Sequence, residues 1–320
     1  MTKQELFNQV KVRKFPEKNY HAIWHELKTI RVGQGKANEL EPEYSEFFDV
    51  SLGNKCSTGK CPWCYVNSNP NGENYKDVCG IWKRWIDTFP KDVVIEGTNI
   101  IKTYKPFQIA IGSEGCALEN PDFCDFLETV FNTGVVPNYT TNGVILSYWD
   151  KPGTQYYELA NKILEYTKAY TGGVAVSYGN KALRNYAKNA IKALIAKGDC
   201  KINMHHIISD KDSVDDFFKN YEKFGKDIYY HVLLPLMPSG RCKVGMSSDT
   251  WDYLEKRLNT KYFERVSFGA HFYNYLKESK NISTWLYKPE SFSKNLILKD
   301  NKVTITPSSF NLNPIKVIEL

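Results

Sequence analysis

Between residues 47 and 237 the sequence alternates short apolar runs with amphipathic segments, about six times over. The runs "FFDVSLGN" (47–54), "FQIAIG" (107–112), the stretch ending in "NYTTNG" (138–143), "GGVAVSYG" (172–179), "KINMHHIIS" (201–209) and "IYYHVLLPLM" (228–237) read as strands. The intervening segments read as helices. "PDFCDFLETVFN" takes Asn120 as N-cap and Pro121 as N1 and closes at Gly134. Another helix is capped by Asn180 and stopped by Gly198, a third is opened by Ser213 and a fourth is capped by Ser248. Such an order requires parallel strands joined by helical crossovers, as in a doubly wound sheet or a barrel. Residues 1–45 read as a polar, irregular extension with a short helix around "NYHAIWHELK". Residues 46–260 form the α/β unit. Residues 261–320 form a C-terminal extension packed on it, with one more strand in "RVSFGAHFY" and a hairpin, "NLILKDNKVTIT", turning at Asp300 and Asn301.

At 320 residues the chain can bury a sizeable core, and its net charge of +6 is a modest excess with no basic tail. The N-terminus lacks the apolar region of a signal peptide and no apolar run reaches the length of a membrane span, so the expected address is cytoplasmic. In that compartment eight cysteines read as metal ligands, catalytic thiols or core rather than disulfides.

Three of the eight fall in "NKCSTGKCPWCYVNSN", at Cys56, Cys61 and Cys64, on the loop that leaves the first strand. In parallel α/β architectures that is the functional edge. The C-x4-C-x2-C spacing admits three readings. Structural zinc needs a fourth ligand, for which Cys79 is nearest. A two-iron cluster of the plant type needs a distant fourth cysteine, Cys79 or Cys116. A [4Fe-4S] cluster on three thiolates leaves one iron open. Cys79, Cys116, Cys124 and Cys200 otherwise read as buried thiols. His205 and His206, adjacent on a strand, must face opposite sides, one to the interior and one to helix packing. Arg241, after "LLPLMPSG", reads as a solvated loop charge, with contact to an anionic group as the alternative.

"CPWCY" after a first strand resembles the cluster loop of the radical S-adenosylmethionine (radical SAM) enzymes. "IAIGSEGCALENPDF" is similar to their glycine-rich segment, and "VPNYTTNG" to their third strand end. The resemblance spans roughly residues 45–240. It implies a partial (β/α)6 barrel and a [4Fe-4S] cluster on Cys56, Cys61 and Cys64, flanked by Trp63 and Tyr65. It also implies SAM against Gly112, Ser113, Glu114 and Gly115, with Asn142, Ser177 and Tyr65 nearby. The implied activity is reductive cleavage of SAM to a 5′-deoxyadenosyl radical that takes hydrogen from a substrate, fed by an external electron donor of flavodoxin or ferredoxin type. The substrate is left open between a nucleoside or nucleic acid and a peptide. The first cysteine gap is four residues where the family usually has three. Cys116 stands where the glycine-rich pattern usually carries Glu, with Glu114 two residues earlier as its substitute. With no second cysteine cluster after residue 240, no auxiliary cluster is expected. The rival readings are an iron–sulfur electron carrier that does not use SAM and a zinc-stabilised binding protein.

Overall fold

The computed structural model describes residues 1–15, 20–33, 44–59, 61–66, 68–179, 181–259, 263–279, 293–308 and 311–320. In chain order they form α1 (Lys3–Phe7), β1 (Val10–Phe15), β2 (Tyr20–His25), β3 (Lys28–Gly33), β4 (Phe47–Ser51), α2 (Val78–Ile86), β5 (Val93–Val94) and β6 (Ile100–Lys102). There follow β7 (Gln108–Ile111), α3 (Phe123–Asn132), β8 (Val136–Thr141), α4 (Tyr157–Tyr170), β9 (Gly173–Ser177), α5 (Arg184–Ala193), β10 (Lys201–Ile208), α6 (Lys211–Phe224) and β11 (Tyr230–Pro235). The last elements are α7 (Ser248–Leu258), β12 (Val266–Phe268), α8 (Tyr273–Glu278), β13 (Ser293–Lys299), β14 (Lys302–Thr306) and β15 (Lys316–Glu319).

The six expected strands stand side by side in one open sheet, in the order β12-β11-β10-β9-β8-β7-β4-β13-β14-β15. All neighbours from β12 to β13 run parallel, and β14 and β15 close the row antiparallel. One face is apolar and carries the helices. Val50, Ile109, Ile111, Tyr139, Val176 and Met204 share a core with Trp82 and Trp85 of α2, Phe126 and Val130 of α3, Ile163 of α4 and Ile191 of α5. The buried positions of α3 (Phe123, Phe126, Leu127, Val130 and Phe131) keep the i, i+3, i+4, i+7, i+8 spacing that makes one helix face apolar. Each such side chain contributes roughly 1.5–3 kcal/mol by leaving water. Residues of the other parity, among them Asp49, Ala110, Thr140, Ser177 and His205, turn to the opposite face and line a cavity there.

The N-terminal segment departs from the expected irregular stretch and short helix. Residues 20–25 are a strand: Ala22 and Trp24 are buried while Ile23 and His25 are exposed, a period of two rather than 3.6. Glu26 and Leu27 supply the left-handed turn, at φ +48° and +69°, into β3. β1 to β3 make a second sheet with β5 and β6, in the order β3-β2-β1-β6-β5. Lys11 and Arg13 tie it to the rest of the chain: Lys11 donates to the Phe107 and Gly134 carbonyls, and Arg13 to those of Tyr44, Thr103 and Lys105.

Several boundaries shift. α3 starts at Phe123, two residues later than expected; Asn120 nevertheless accepts the Asp122 N–H through its side-chain oxygen at 2.8 Å, while its NH2 donates to the Leu52 and Tyr75 carbonyls at 2.6 and 3.1 Å. Asp210, not Ser213, caps α6; Ser213 sits at the third helical position and completes a reciprocal capping box. Ser247 rather than Ser248 caps α7. The strand expected over 265–273 is only β12, and the chain turns helical after it. Asn180 lies outside the described residues. The hairpin turns at Asp300 and Asn301 as expected, with φ +53° and +59°, and β13 extends the main sheet beside β4.

Candidate active site

The cysteine loop is closed at its neck by short antiparallel contacts. Asn54 N–H donates to Glu73 O and Tyr75 N–H to Leu52 O; further up, Cys56 N–H donates to Asn69 O. The tip therefore projects as one closed loop, with Cys56, Cys61 and Cys64 on it, all three half-buried. They line a cavity of about 180 Å³ together with Thr58, Gly112, Gly115, Cys116, Asn142 and Ser177.

The two other segments singled out in the sequence meet the loop directly. Cys116 N–H donates to Lys55 O at 2.8 Å, and Gly115 N–H to the Ser68 hydroxyl at 2.9 Å. Gly115 has φ +66°, and a Cβ there would stand 2.5 Å from Lys55 O, so only glycine lets the two backbones approach this closely. The glycine-rich segment thus braces the cysteine loop, a role that its spacing alone did not reveal. Asn142, from the "TNG" end of β8, donates to the Thr58 hydroxyl at 3.0 Å, and Thr58 in turn lies 3.2 Å from Cys56 Sγ. Ser177 and Tyr65 line this cavity and the one on the inner face of the sheet. Ser113 also lines both and bonds the Ser51 hydroxyl.

Glu114 is placed differently. It is buried, its carboxyl is held by Tyr75 and Ser51, and it lines neither cavity. Burial pushes its pKa above the usual carboxylate range. Cys79, the proposed fourth zinc ligand, sits on α2 against the helix-side core and next to Thr129, away from the loop. Cys116 does reach the cavity, but burial pushes its thiol up to about 12, with Glu119 and Cys56 adding to the shift. Burial also raises the Cys56 thiol.

The residue most underestimated by sequence is Arg241. It is a strap rather than a solvated charge. Its Nε donates to Cys61 O at 3.0 Å, its Nη1 to Ser68 O at 2.8 Å, and its backbone N–H to Cys64 O at 3.0 Å. The segment after β11 is thereby pinned onto the loop. Gly240 makes the pinning possible: a Cβ there would lie 2.4 Å from both Cys64 O and Tyr65 O. The arginine's Nη2 is buried and without a partner among the described residues.

Among the described residues no three His, Cys, Asp or Glu side chains converge tightly enough to share one metal ion. An iron–sulfur cluster asks for something else. Each of its thiolates binds a different iron, so the sulfurs stand apart by the width of the cluster. Four thiols line one cavity, Cys56, Cys61 and Cys64 on the loop and the buried Cys116 beside them, with no Asp, Glu or His among its described lining residues, a donor set that fits that soft acceptor.

No protein-family model and no curated protein sequence matches the chain. Solved structures do match: Streptococcus suis SuiB bound to precursor peptide SuiA has 13% identity and a TM-score of 0.57 over 84% of this chain. SuiB bound to S-adenosylmethionine has 13% identity and a TM-score of 0.55 over 83%, and SuiB alone 13% and 0.54 over 82%. The chain has the SuiB fold. It spans about three fifths of the SuiB chains, 61%, 60% and 60% respectively. SuiB therefore shares this chain's fold while sharing few of its residues.

Proposed function

We propose that the protein is a radical SAM enzyme. The observation that carries this reading is the meeting of three sequence segments, the cysteine loop, "GSEGC" and "TNG", around one cavity at the strand ends. It is supported by a fold held in common with SuiB, a protein whose structure has been solved with SAM bound. The helices α2 to α5 share a single core on one face of the sheet while the other face lines a cavity, which favours a partial (β/α)6 barrel over a doubly wound sheet.

In this reading Cys56, Cys61 and Cys64 hold a [4Fe-4S] cluster, and Gly112, Ser113, Gly115, Asn142, Ser177 and Tyr65 receive SAM. Bound there, the two supply a 5′-deoxyadenosyl radical when an external donor of flavodoxin or ferredoxin type delivers an electron. The chain's own work is positional. Thr58 and Asn142 orient the Cys56 side of the loop, Arg241 and Gly240 orient the Cys61–Tyr65 side, and Trp63 and Tyr65 cover the passage to the inner cavity. Of the two substrate classes, a peptide gains support from the SuiB structure with its precursor peptide. Among the described residues no helix is long and apolar enough to cross a membrane, and a cytoplasmic location is part of the proposal.

The test is anaerobic reconstitution with iron and sulfide. About four irons and four sulfides per chain are expected, together with slow release of 5′-deoxyadenosine from SAM once the protein is reduced. Stoichiometric zinc without sulfide overturns the reading. Two irons, with Cys116 also required, turn it into a ferredoxin-like one. A full cluster that neither binds nor cleaves SAM leaves an electron carrier.

A further inference from the structure

The cavity on the inner face of the sheet has about 330 Å³ and touches the cysteine loop through Trp63 and Tyr65. Most of its wall is apolar, including Ala110, Ile207, Leu234 and Met237. Four polar strand residues interrupt that wall, Asp49 in the middle of β4, Thr140 in β8, Ser177 in β9 and His205 in β10, and of these Asp49 and His205 are the ionisable ones. A carboxylate inside a parallel strand is out of place, since such strands are buried and near-continuously apolar. Asp49 has no hydrogen-bond or ion-pair partner among the described residues, and neither does the His205 ring. No lysine or arginine lines the cavity among the described residues. Asn295, paired with Asp49 across the β4–β13 ladder, adds a buried amide oxygen that is likewise unpartnered. An unpaired carboxyl facing an apolar cavity is a costly arrangement for folding alone.

We infer that this cavity takes a compact, largely apolar substrate group bearing a protonated amine, and that Asp49 is the residue that binds the amine. The inference rests on the radical SAM reading for the cavity's role, and it adds the chemical class of what enters. Size agrees: a cavity of this volume holds one side chain or one small ring system rather than a folded partner. Charge agrees too. Burial pushes the Asp49 carboxyl up to about 7, so an ammonium group brought against it restores the charged form. Burial also pushes His205 down to about 4, which keeps that ring neutral, so that Asp49 is the acidic group of a wall that also carries the imidazoles of His205 and His271. The occupant would lie beside Trp63 and Tyr65, next to the cysteine loop.

The experiment uses the full-length protein without cluster and three probes of one size: benzylamine, benzyl alcohol and phenylacetate. Binding is followed by ligand-observed NMR at about pH 8, where benzylamine is a cation. Benzylamine should bind about tenfold more tightly than benzyl alcohol, with phenylacetate weakest. Asp49→Asn, nearly isosteric, should abolish the preference for the amine while leaving benzyl alcohol binding in place. Ala110→Leu, which fills the cavity beside Asp49, should remove binding of all three. An equal or reversed order of affinities, an amine preference that survives Asp49→Asn, or no binding of any probe at millimolar concentration overturns the inference. Because the probes are read without the cluster, failure of iron, sulfide and 5′-deoxyadenosine in the reconstituted wild type sinks the enzyme reading separately.

Discussion

The two neighbouring cavities share Trp63, Tyr65, Gly112, Ser113, Thr140 and Ser177 in their walls, yet they are built in opposite ways. The cysteine cavity is made of loops. Its groups are tied by hydrogen bonds: Asn142 to Thr58, Gly115 to Ser68, Cys116 to Lys55, Arg241 to Cys61 and Ser68. The inner cavity is walled by strand residues and by segments beyond the strand ends, and its ionisable strand residues, Asp49 and His205, are held by the sheet while making no side-chain bond of their own among the described residues. One site has order created by polar bonds and exposes soft thiols. The other borrows order from the ladder and keeps its polar capacity unspent for a ligand, at a cost to stability.

The largest expected effect separates the loop thiols from the rest. Cys56→Ala, Cys61→Ala or Cys64→Ala should each lower the iron content of anaerobically reconstituted protein by about tenfold or more. Cys79→Ala, in the helix-side core, should leave it unchanged, and Cys116→Ser should retain most of it. Iron analysis with circular dichroism as a fold control reads the series. Equal loss in Cys116→Ser would mean four thiolates and no open iron.

The second effect tests whether the inner cavity really costs stability. The Asp49 carboxyl goes from 3.8 to about 7 on folding, so the folded state resists its ionisation. A raised carboxylate pKa gives stability that is fully present below pH 3.8 and is lost as pH rises through about 7. At about 1.4 kcal/mol per unit the upper bound is near 4 kcal/mol; with part of the carboxyl still open to the cavity, about 2 kcal/mol is the expected size. Asp49→Asn should therefore be more stable than wild type by about 2 kcal/mol above pH 7, and the gain should fade towards pH 4. His205 acts in the other direction, losing stability as pH falls from 6.5 to about 4, but it is common to both proteins and cancels in the difference. Denaturant titrations across that range decide it; a destabilised Asp49→Asn at high pH would mean that the carboxylate has a partner after all.

The same contrast explains what could be read from the sequence. Cysteine spacing is a local pattern, and glycine and "TNG" segments are local too, so their convergence at parallel strand ends followed from the strand–helix order. The hairpin at Asp300–Asn301 was legible because two left-handed residues in a row suit Asp and Asn. Three things were not. The N-terminal strands were hidden because the turn after Tyr20–His25 uses Glu26 and Leu27 rather than Gly, Asn or Asp, and because the alternation shows only once Ala22 and Trp24 are known to be buried. Asp49 was passed over inside "FFDVS", although a lone charge in an apolar parallel strand was the available signal. Arg241 looked like any loop cation because its partners are carbonyls of Cys61 and Ser68, some 180 and 173 residues away, and backbone acceptors leave no mark in a sequence.

Arg241 also gives the smallest and most local prediction, the one that sharpens the contrast. If the cysteine cavity is ordered by polar bonds, cutting its strap should loosen the loop without unfolding the sheet. Arg241→Ala removes two charge-assisted bonds to carbonyls, each worth about 1.5–3 kcal/mol when buried; with water able to reach a half-buried site, about 1–2 kcal/mol is the net expectation. That corresponds to roughly tenfold faster hydrogen exchange over residues 54–66, and to faster loss of iron to a chelator. Arg241→Lys should recover only part of this, because an ammonium is a point donor and cannot span Cys61 O and Ser68 O with the fixed fork of a guanidinium. Probe binding in the inner cavity should hardly change, since β4 and β10 are ordered by their own ladders. If Arg241→Ala instead melts the whole domain, or disturbs the Asp49 cavity as much as the loop, the two sites are one cooperative unit and the division between loop-built and strand-built polarity fails.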